Sequence, residues 1–271
     1  MSIRAVYAMA FALFMAMTGV SAGAESEDDA RWAELRQMVF DDREILDGSG
    51  VVELEAPMRA YDAAIVPVTI KALIPQTAER FIKTITLLVD KNPVPVAGVF
   101  HMTPQNGIGT ISTRIRVNEY TNVRAVVETS DGALYQAVRY VKAAGGCSAP
   151  ATKDQEAALA RLGLMKLRVD EQVTSNVPSR AQILISHPNN SGLQMNQLTR
   201  HYIPAHYVEK IKVSYGGQTL MTVEGDISLS ENPSIHFYFV PDGPGEITAE
   251  AVDTEGNIFT GAWPVTPKAG S

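Results

Sequence analysis

Short stretches in which apolar and polar side chains alternate, separated by turn residues, run along almost the whole chain and limit the folds open to it. Residues 110–117 alternate cleanly, which is typical of a strand with one buried face. Asp131-Gly132 lies between two such stretches and is a strong hairpin signal. Many short strands without helical crossovers favour sandwiches over a parallel sheet. We therefore predict an all-β fold of two Ig-like β-sandwich domains.

The sequence predicts two short helices besides these strands. One lies near the start, where Asp29 would cap a turn that carries Trp32 and Leu35 at helical spacing. The other covers residues 157–162, preceded by a capping box in 152–155. The predicted strands are 51–54, 64–70, 81–89, 110–117, 123–128 and 134–141 in the first half, and 164–169, 181–186, 208–215, 219–223, 235–240, 246–252 and 258–264 in the second.

The first 24 residues have the features of a secretory signal peptide. Arg4 precedes an uncharged apolar stretch over 5–17, and Ser21-Ala22-Gly23-Ala24 offers a small-residue cleavage site. The apolar stretch is shorter than the roughly 20 residues that cross a bilayer. We expect export to the periplasm with cleavage after Ala24; an uncleaved N-terminal anchor is the alternative. No second apolar run of that length follows, so we expect no stable membrane insertion.

Composition and charge exclude several classes of protein. Hydrophobic residues make up 45% of the chain, which argues against global disorder. The formal net charge of -7 leaves no basic surface to neutralise phosphates, so we expect no nucleic-acid partner. A length of 271 residues suits two domains better than one.

The chain contains one cysteine, Cys147. In an oxidising compartment, an unpaired cysteine indicates either a free reactive thiol or a disulfide-linked homodimer. Gly145 and Gly146 precede it, Pro150 follows, and no branched apolar residue lies nearby to build a core around it. This context predicts an exposed, mobile thiol with a function, while a buried small hydrophobe is the structural alternative.

The same segment divides the chain. We predict a first sandwich over residues 25–142, a glycine-rich arm and linker helix over 143–163, and a second sandwich over 164–271.

Other candidate sites are weaker. His201 and His206 flank Pro204, but no nearby cysteine or carboxylate completes a zinc set, so we interpret both as surface or interface residues. His187 follows a predicted strand, and we interpret it as a hydrogen-bonded structural residue. We expect no metal, no cofactor and no catalytic residues, because no acid–base constellation accompanies the thiol.

Two series of short motifs lie on either side of Gly145-Gly146-Cys147. The series before it is Trp32, Val39-Phe40, Glu53-Leu54-Glu55-Ala56-Pro57, Val66-Pro67-Val68, Asn92-Pro93-Val94-Pro95, Arg114-Ile115-Arg116 and Asp131-Gly132-Ala133-Leu134-Tyr135. The series after it is Leu184-Ile185-Ser186-His187-Pro188, Ser191-Gly192-Leu193, Ile203-Pro204, Asn232-Pro233, Phe237-Tyr238-Phe239, Asp253 and Gly256. Through the first series, the first half resembles the SoxY subunit of the periplasmic thiosulfate-oxidation carrier, and its match ends in Gly145-Gly146-Cys147, the first three residues of that family's terminal GGCGG. Through the second series, the second half resembles SoxZ.

The resemblance is closest to fused SoxYZ-like carriers associated with quinoprotein dehydrogenases. It implies that Cys147 holds a sulfur intermediate covalently, that Gly145 and Gly146 make the arm flexible, and that redox enzymes such as a c-type cytochrome or a quinoprotein dehydrogenase are partners. Two departures from the family pattern stand out: Ser148-Ala149 replaces the closing glycine pair, and the cysteine is internal. A non-covalent adaptor with an incidental cysteine is the alternative.

Overall fold

The computed structural model describes residues 26–150, 158–197 and 199–270. The predicted signal peptide over residues 1–24 lies outside this range. So do residues 152–157, which contain the start of the second predicted helix. The described end of that helix is short: residues 158 and 159 are helical, and a turn follows.

One helix, α1 (Glu27–Phe40), precedes the strands. Its cap is Ser26 rather than the predicted Asp29, because the Ser26 hydroxyl accepts a hydrogen bond from the Asp29 backbone N–H at 3.1 Å. Acidic residues fill the first turn, where they complement the helix dipole. Leu35 and Phe40 face the protein and are buried.

Fifteen strands in two sheets follow in the described part of the chain, and the all-β prediction is confirmed. The first half contributes β1 (Ile45–Asp47), β2 (Val52–Glu55), β3 (Val66–Ala72), β4 (Ile82–Val89), β5 (Val96–Met102), β6 (Thr110–Ile115), β7 (Thr121–Thr129) and β8 (Leu134–Val141). The second half contributes β9 (Met165–Val169), β10 (Ser179–Ile185), β11 (Val208–Tyr215), β12 (Gln218–Gly225), β13 (Ser234–Phe239), β14 (Gly245–Asp253) and β15 (Ile258–Val265).

Each of the two sheets contains strands from both halves of the chain. The nine-stranded sheet has the order β1-β8-β7-β4-β5-β12-β11-β14-β15, and the six-stranded sheet has the order β2-β3-β6-β13-β10-β9. The halves therefore meet edge to edge at two places. In the large sheet, β5 pairs antiparallel with β12 from Met102↔Met221 to Gly98↔Gly225. In the small sheet, β6 meets β13 at Ser112↔His236. We call this line of contact the seam.

The hydrophobic core lies between the two sheets and crosses the seam without a break. Phe100 and Ile111 from the first half belong to the same buried cluster as Phe237 and Val223 from the second half. A polar contact adds to the seam: the Asn92 side-chain amide donates to the Ser228 hydroxyl of the second half at 2.9 Å, and also to the Arg116 carbonyl of its own half at 2.8 Å. Among the described residues, no helix is long and apolar enough to span a bilayer.

Because the core and both sheets cross the seam, we expect the two halves to unfold together. The chain has two tryptophans, Trp32 in α1 and Trp263 in β15, so the single replacements Trp32→Phe and Trp263→Phe leave a fluorescent reporter in one half each. The two denaturation midpoints should coincide. Phe237→Ala, at a fully buried position, should lower the stability seen by both reporters by about 3–5 kcal/mol.

The exposed Tyr61→Ala is the matched control and should change the free energy of unfolding by less than about 0.5 kcal/mol. Separate midpoints for the two reporters would show that the halves are independent.

Candidate functional site: the cysteine segment at the seam

Cys147 lies just after β8 and is fully buried, with 0% of its surface exposed. The prediction of an exposed, mobile thiol is therefore wrong for this structure. The local sequence has no bulky apolar residue to cover the thiol, but residues distant in sequence enclose it. The segment Lys142–Ala149, which we call the cysteine segment, is held by main-chain and side-chain contacts from both halves.

The first half holds the cysteine segment through its backbone. The Gly145 N–H donates to the Asn118 carbonyl at 2.8 Å, and the Gly146 N–H donates to the Val117 carbonyl at 2.9 Å. Further back, the Lys142 N–H donates to the Met58 carbonyl at 2.8 Å. Main-chain hydrogen bonds therefore tie the segment to two separate stretches of the first half, one at residue 58 and one at residues 117–118.

The two glycines have different structural roles. Gly145 has a φ of +81°, a left-handed conformation that favours glycine, and a Cβ there would meet nothing within 4 Å. At Gly146 the constraint is steric, because a Cβ would lie 2.0 Å from the Ala63 carbonyl oxygen and 2.7 Å from the Val117 carbonyl oxygen. The predicted role of this pair was flexibility. In this structure, Gly145 instead supplies a left-handed turn, and Gly146 allows a close approach of one backbone to another.

The second half closes over the segment. The Ser191 hydroxyl donates to the Cys147 carbonyl at 2.5 Å, and the Gln194 side-chain amide donates to the Ala149 carbonyl at 3.1 Å. Ser191 and Gln194 are themselves buried. The cysteine segment thus lies between the two halves of the chain.

Arg116 lies beside the thiol, just beyond the end of β6, and only 1% of it is exposed. Its guanidinium donates from Nη1 to the Gly146 carbonyl at 3.3 Å and from Nη2 to the Asn189 carbonyl at 3.0 Å. Burial lowers the pKa of Arg116, although a guanidinium keeps its proton in proteins. The site therefore holds a buried positive charge next to the single cysteine.

Burial also controls the protonation of the thiol. It raises the pKa of Cys147 from 9.0 to about 11, even though the charge of Arg116 acts to lower it. At neutral pH, the buried cysteine is a protonated thiol and a poor nucleophile, because the thiolate is the reactive form. In this position the thiol is therefore unreactive.

A second buried cluster joins three elements of the second half. The Nε2 of His206 lies 2.8 Å from Oδ2 of Asp253, and the Nε2 of His187 lies 3.5 Å from the same oxygen. The interpretation of His206 as a surface or interface residue is wrong, because it is only 7% exposed; His201 is exposed. Asp253 is far from both histidines in sequence, so this cluster could not be predicted from neighbouring residues.

The three side chains have the residue types of a metal site, but their hydrogen bonds do not fit one. The Asn189 backbone N–H donates to Nδ1 of His187 at 3.0 Å, so the ring proton must be on Nε2, the atom that faces Asp253. A metal ligand would need that nitrogen free of its proton. Asp253 also accepts from the backbone N–H groups of Glu255 and Asn257.

The pKa values in this cluster match a neutral His187 imidazole hydrogen-bonded to an ionised Asp253 carboxylate. Burial, together with the charge of His206, lowers the pKa of His187 to about 4. Burial alone would raise the pKa of Asp253, but hydrogen bonds from Asn257 and His206 outweigh it and hold that pKa well below its usual range. We interpret the cluster as structural support for the loop that carries Asn189 and Ser191.

Three residues of the site were not predicted from the sequence as functional: Arg116, Ser191 and Gln194. Arg116 continues an alternating stretch in which polar residues were expected on the solvent face, so its burial is an exception to the pattern. Ser191 was noted only as part of a resemblance. A buried arginine cannot be distinguished from a surface arginine in one sequence without knowing which strand covers it.

Comparison with known families gives two matches in one chain. Residues 36–147 match the family model described as Sulfur oxidation protein SoxY, and residues 167–264 match the one described as Sulphur oxidation protein SoxZ. The first match ends on Cys147. A search of curated proteins found no match.

Several solved structures are similar to parts of the chain. The sulfur carrier protein SoxY from Chlorobium limicola f thiosulfatophilum is 27% identical with a TM-score of 0.36, covering 42% of this chain and 92% of that one. A superoxide reductase (neelaredoxin) from Ignicoccus hospitalis is 13% identical with a TM-score of 0.31, covering 43% and 89%. Red sea bream transglutaminase is 10% identical with a TM-score of 0.28, covering 89% and 34%.

The raised pKa of Cys147 predicts how the burial of the cysteine segment depends on pH. We call the buried position docked and a position in which the thiol reaches solvent undocked. Deprotonation favours the undocked position, so docking is fully supported below pH 9.0 and weakens as the pH rises towards about 11. Thiol labelling of the native protein should therefore keep rising roughly tenfold per pH unit beyond pH 9.0, where labelling of the urea-unfolded chain levels off.

Ser191→Ala removes one hydrogen bond to the segment, worth about 1 kcal/mol, and should speed native labelling about fivefold at neutral pH. Ser148→Ala is the matched control, since that hydroxyl makes only a 3.4 Å contact within the segment. Equal pH profiles for native and unfolded protein, with no effect of Ser191→Ala, would contradict the docked thiol.

Proposed function

Because this chain is a fused SoxYZ-like protein, with a SoxY domain over residues 36–147 and a SoxZ domain over residues 167–264, we propose that it is a sulfur carrier that binds its cargo covalently on Cys147. The observation that carries the proposal is the end of the SoxY match on the single cysteine, at the seam with the SoxZ half. The predicted signal peptide supports a periplasmic location for this role.

The chemistry at Cys147 is the formation of a disulfide bond with a reduced sulfur compound. The Cys147 thiol and the sulfur-bearing thiol or thiolate of the cargo join through a new S–S bond, and the S–H protons leave to solvent. Two electrons leave with them, and a partner redox enzyme accepts them. The carrier itself supplies reach and a nucleophile, while partner enzymes supply the oxidant and the catalytic groups.

Because Cys147 is buried, the carrier function requires two positions of the cysteine segment. In the docked position the thiol is protonated and enclosed; in an undocked position it reaches solvent and a partner's active site. Among the described residues, five hydrogen bonds from other parts of the protein hold residues 145–149 in place. Each is worth roughly 0.5–1.5 kcal/mol, or about 1.5–3 kcal/mol for the one that the Arg116 guanidinium donates. Undocking therefore costs several kcal/mol, which a partner that binds the released segment offsets.

Exposed apolar side chains next to the cysteine segment support a protein partner. Met58 and Tyr61 lie on the first-half stretch that hydrogen-bonds to Lys142, and Met195 and Tyr202 lie beside Gln194 in the second half; all four are exposed. We propose that they contact a redox enzyme, either a c-type cytochrome or a quinoprotein dehydrogenase, while the segment enters its cleft.

A second function is favoured by one observation. A fully buried cysteine with a raised pKa is what a non-covalent adaptor would contain, with Cys147 acting only as a small core residue. The two functions make opposite predictions for the thiol, so a single substitution separates them. A disulfide-linked homodimer through Cys147 requires the same undocking as the carrier and is secondary to it.

Cys147→Ser should abolish the physiological activity of the carrier in a complementation assay, since serine cannot form a sulfur–sulfur bond. The protein should still fold, with a free energy of unfolding lower by at most about 1–3 kcal/mol, because the new hydroxyl is buried and loses its hydrogen bonds to water. Cys147→Ala is the matched control, because it removes the thiol without adding a hydroxyl. It should be equally inactive. Full activity of both variants would contradict the carrier and favour the adaptor.

Gly146→Ala tests docking separately from chemistry. Its new Cβ would lie 2.0 Å from the Ala63 carbonyl oxygen, so the segment must leave its docked position. Native thiol labelling should rise more than about tenfold, towards the rate of the unfolded chain. Gly145→Ala is the control: it meets no neighbour and strains only the backbone, by about 1 kcal/mol, so its labelling should rise about fivefold. Unchanged labelling of Gly146→Ala would contradict the docked arrangement.

A further inference from the structure

The outer face of the six-stranded sheet carries a group of positive charges, although the formal net charge of the whole chain is -7. The group lies on the four neighbouring strands β9, β10, β13 and β6, on the side that points away from the core. We call it the basic face, and its cations are Lys166, Arg168, Arg180 and Arg114. The net charge therefore conceals a local basic surface, contrary to the expectation drawn from composition.

Strand register gathers these side chains around His236. His236 pairs with Gln182, and Gln182 pairs with Arg168. Arg180 lies two residues before Gln182 on the same side of β10, and β6 brings Arg114 to the other side of β13. Strands in a sheet are about 4.8 Å apart, so the basic face spans roughly 15 Å across its four strands. Burial lowers the pKa of His236, and the charges of the three arginines lower it further.

The cations of the basic face have no carboxylate partner within the part of the chain that the structure describes, where no ion pair includes any of them. Asp170 lies at the border of the face, but its Oδ2 accepts from the Arg180 backbone N–H at 3.1 Å. Arg114 is held in place, because its Nη2 donates to the Asn232 carbonyl at 2.8 Å. Like charges on neighbouring strands repel one another, so carboxylates from outside would stabilise the face.

The residues of the basic face favour a protein partner over an extended polyanion. Tyr238 and Leu184 lie half-buried among the cations, and three of the four cations are arginines. Arginine and tyrosine are enriched in protein interfaces, while lysine is depleted there. An extended polyanion would also reach past the face onto a chain that is negative overall. A cluster of carboxylates on a folded protein matches the face in size and charge.

We propose that the basic face is a docking surface for a protein that presents a cluster of carboxylates. The face begins near the cysteine segment, because Arg114 lies two residues before Arg116, whose guanidinium donates to the Gly146 carbonyl. Charge complementarity of this kind speeds the encounter of two proteins and makes it sensitive to salt. The inference goes beyond the proposed function, since a carrier and a non-covalent adaptor would both use the face.

A peptide of ten glutamates with a neutral fluorophore tests the proposal by fluorescence anisotropy. The full chain is kept in dithiothreitol, so that Cys147 forms no disulfide. The wild-type protein should bind the peptide at about 20 mM salt and should bind it roughly tenfold more weakly at about 150 mM, where the Debye length is only about 8 Å.

The double replacement of Arg168→Gln with Arg180→Gln should weaken binding at low salt by at least about fivefold, because it removes two ion pairs with the peptide. The double replacement of Lys210→Gln with Lys212→Gln is the matched control. It removes the same charge from exposed positions on β11 in the other sheet, and it should change binding by less than about twofold.

The imidazole of His236 locates the bound peptide by NMR. Carboxylates above the face offset the charges of the three arginines, so the pKa of His236 should rise when the peptide binds. The imidazole signals of His101, which lies on β5 in the other sheet, should not move.

No binding of the peptide to the wild-type protein at low salt would overturn the proposal, as would equal affinities of the two double variants. Tighter binding of an oligothymidylate several times longer than the peptide would assign the face to nucleic acid and overturn the protein partner. A salt-sensitive dimer that the arginine double variant abolishes would assign the face to a second copy of the chain. The activity of Cys147→Ser in cells tests the carrier separately, whichever of these results is found.

Discussion

The position of the cysteine segment depends on the absence of a side chain at residue 146. Gly146 lies against the carbonyl oxygens of Ala63 and Val117, at distances that no Cβ could occupy. Its N–H hydrogen bond to Val117 needs this approach, and the next residue, Cys147, is thereby placed under the second half of the chain. The burial of the thiol, its high pKa and its closeness to Arg116 all follow from this backbone contact.

The burial of the cysteine segment also depends on the seam between the two halves. A segment held by one domain alone would be exposed on its other side, but here Ser191 and Gln194 of the SoxZ half cover it. Continuous sheets keep the two halves in fixed register through β5 and β12. The cysteine is therefore enclosed by two halves that share continuous sheets, and in the proposed carrier the moving part is the short segment itself. A fused chain maintains that geometry without depending on subunit concentration.

Local pattern was enough to predict most of the fold, because alternation and turns are properties of neighbouring residues. The strands β7, β8, β11 and β15 lie close to their predicted positions. β5 was missed, since Gly98 interrupts its apolar pattern; this glycine lies at the seam, where a Cβ would be 3.2 Å from the Glu224 carbonyl oxygen. The seam itself was not predicted as strand pairing, because the partners of an edge strand are not encoded locally.

The site was predicted only in part for the same reason. Cys147 and its glycines stand out in the sequence, but the residues that bury the thiol come from distant positions. Neighbouring residues alone indicate a glycine-rich loop, and such a loop predicts an exposed thiol. The same limit applies to His206, whose partner Asp253 is 47 residues away in sequence.

The central claim is that Cys147 carries sulfur cargo in a covalent bond, and the intact mass of the protein tests it most directly. The protein is isolated from its native source without reductant, in parallel with Cys147→Ser. A carrier predicts a wild-type species with added mass that dithiothreitol removes, and no such species in Cys147→Ser. Only the unmodified mass in both proteins, with or without reductant, would contradict the claim.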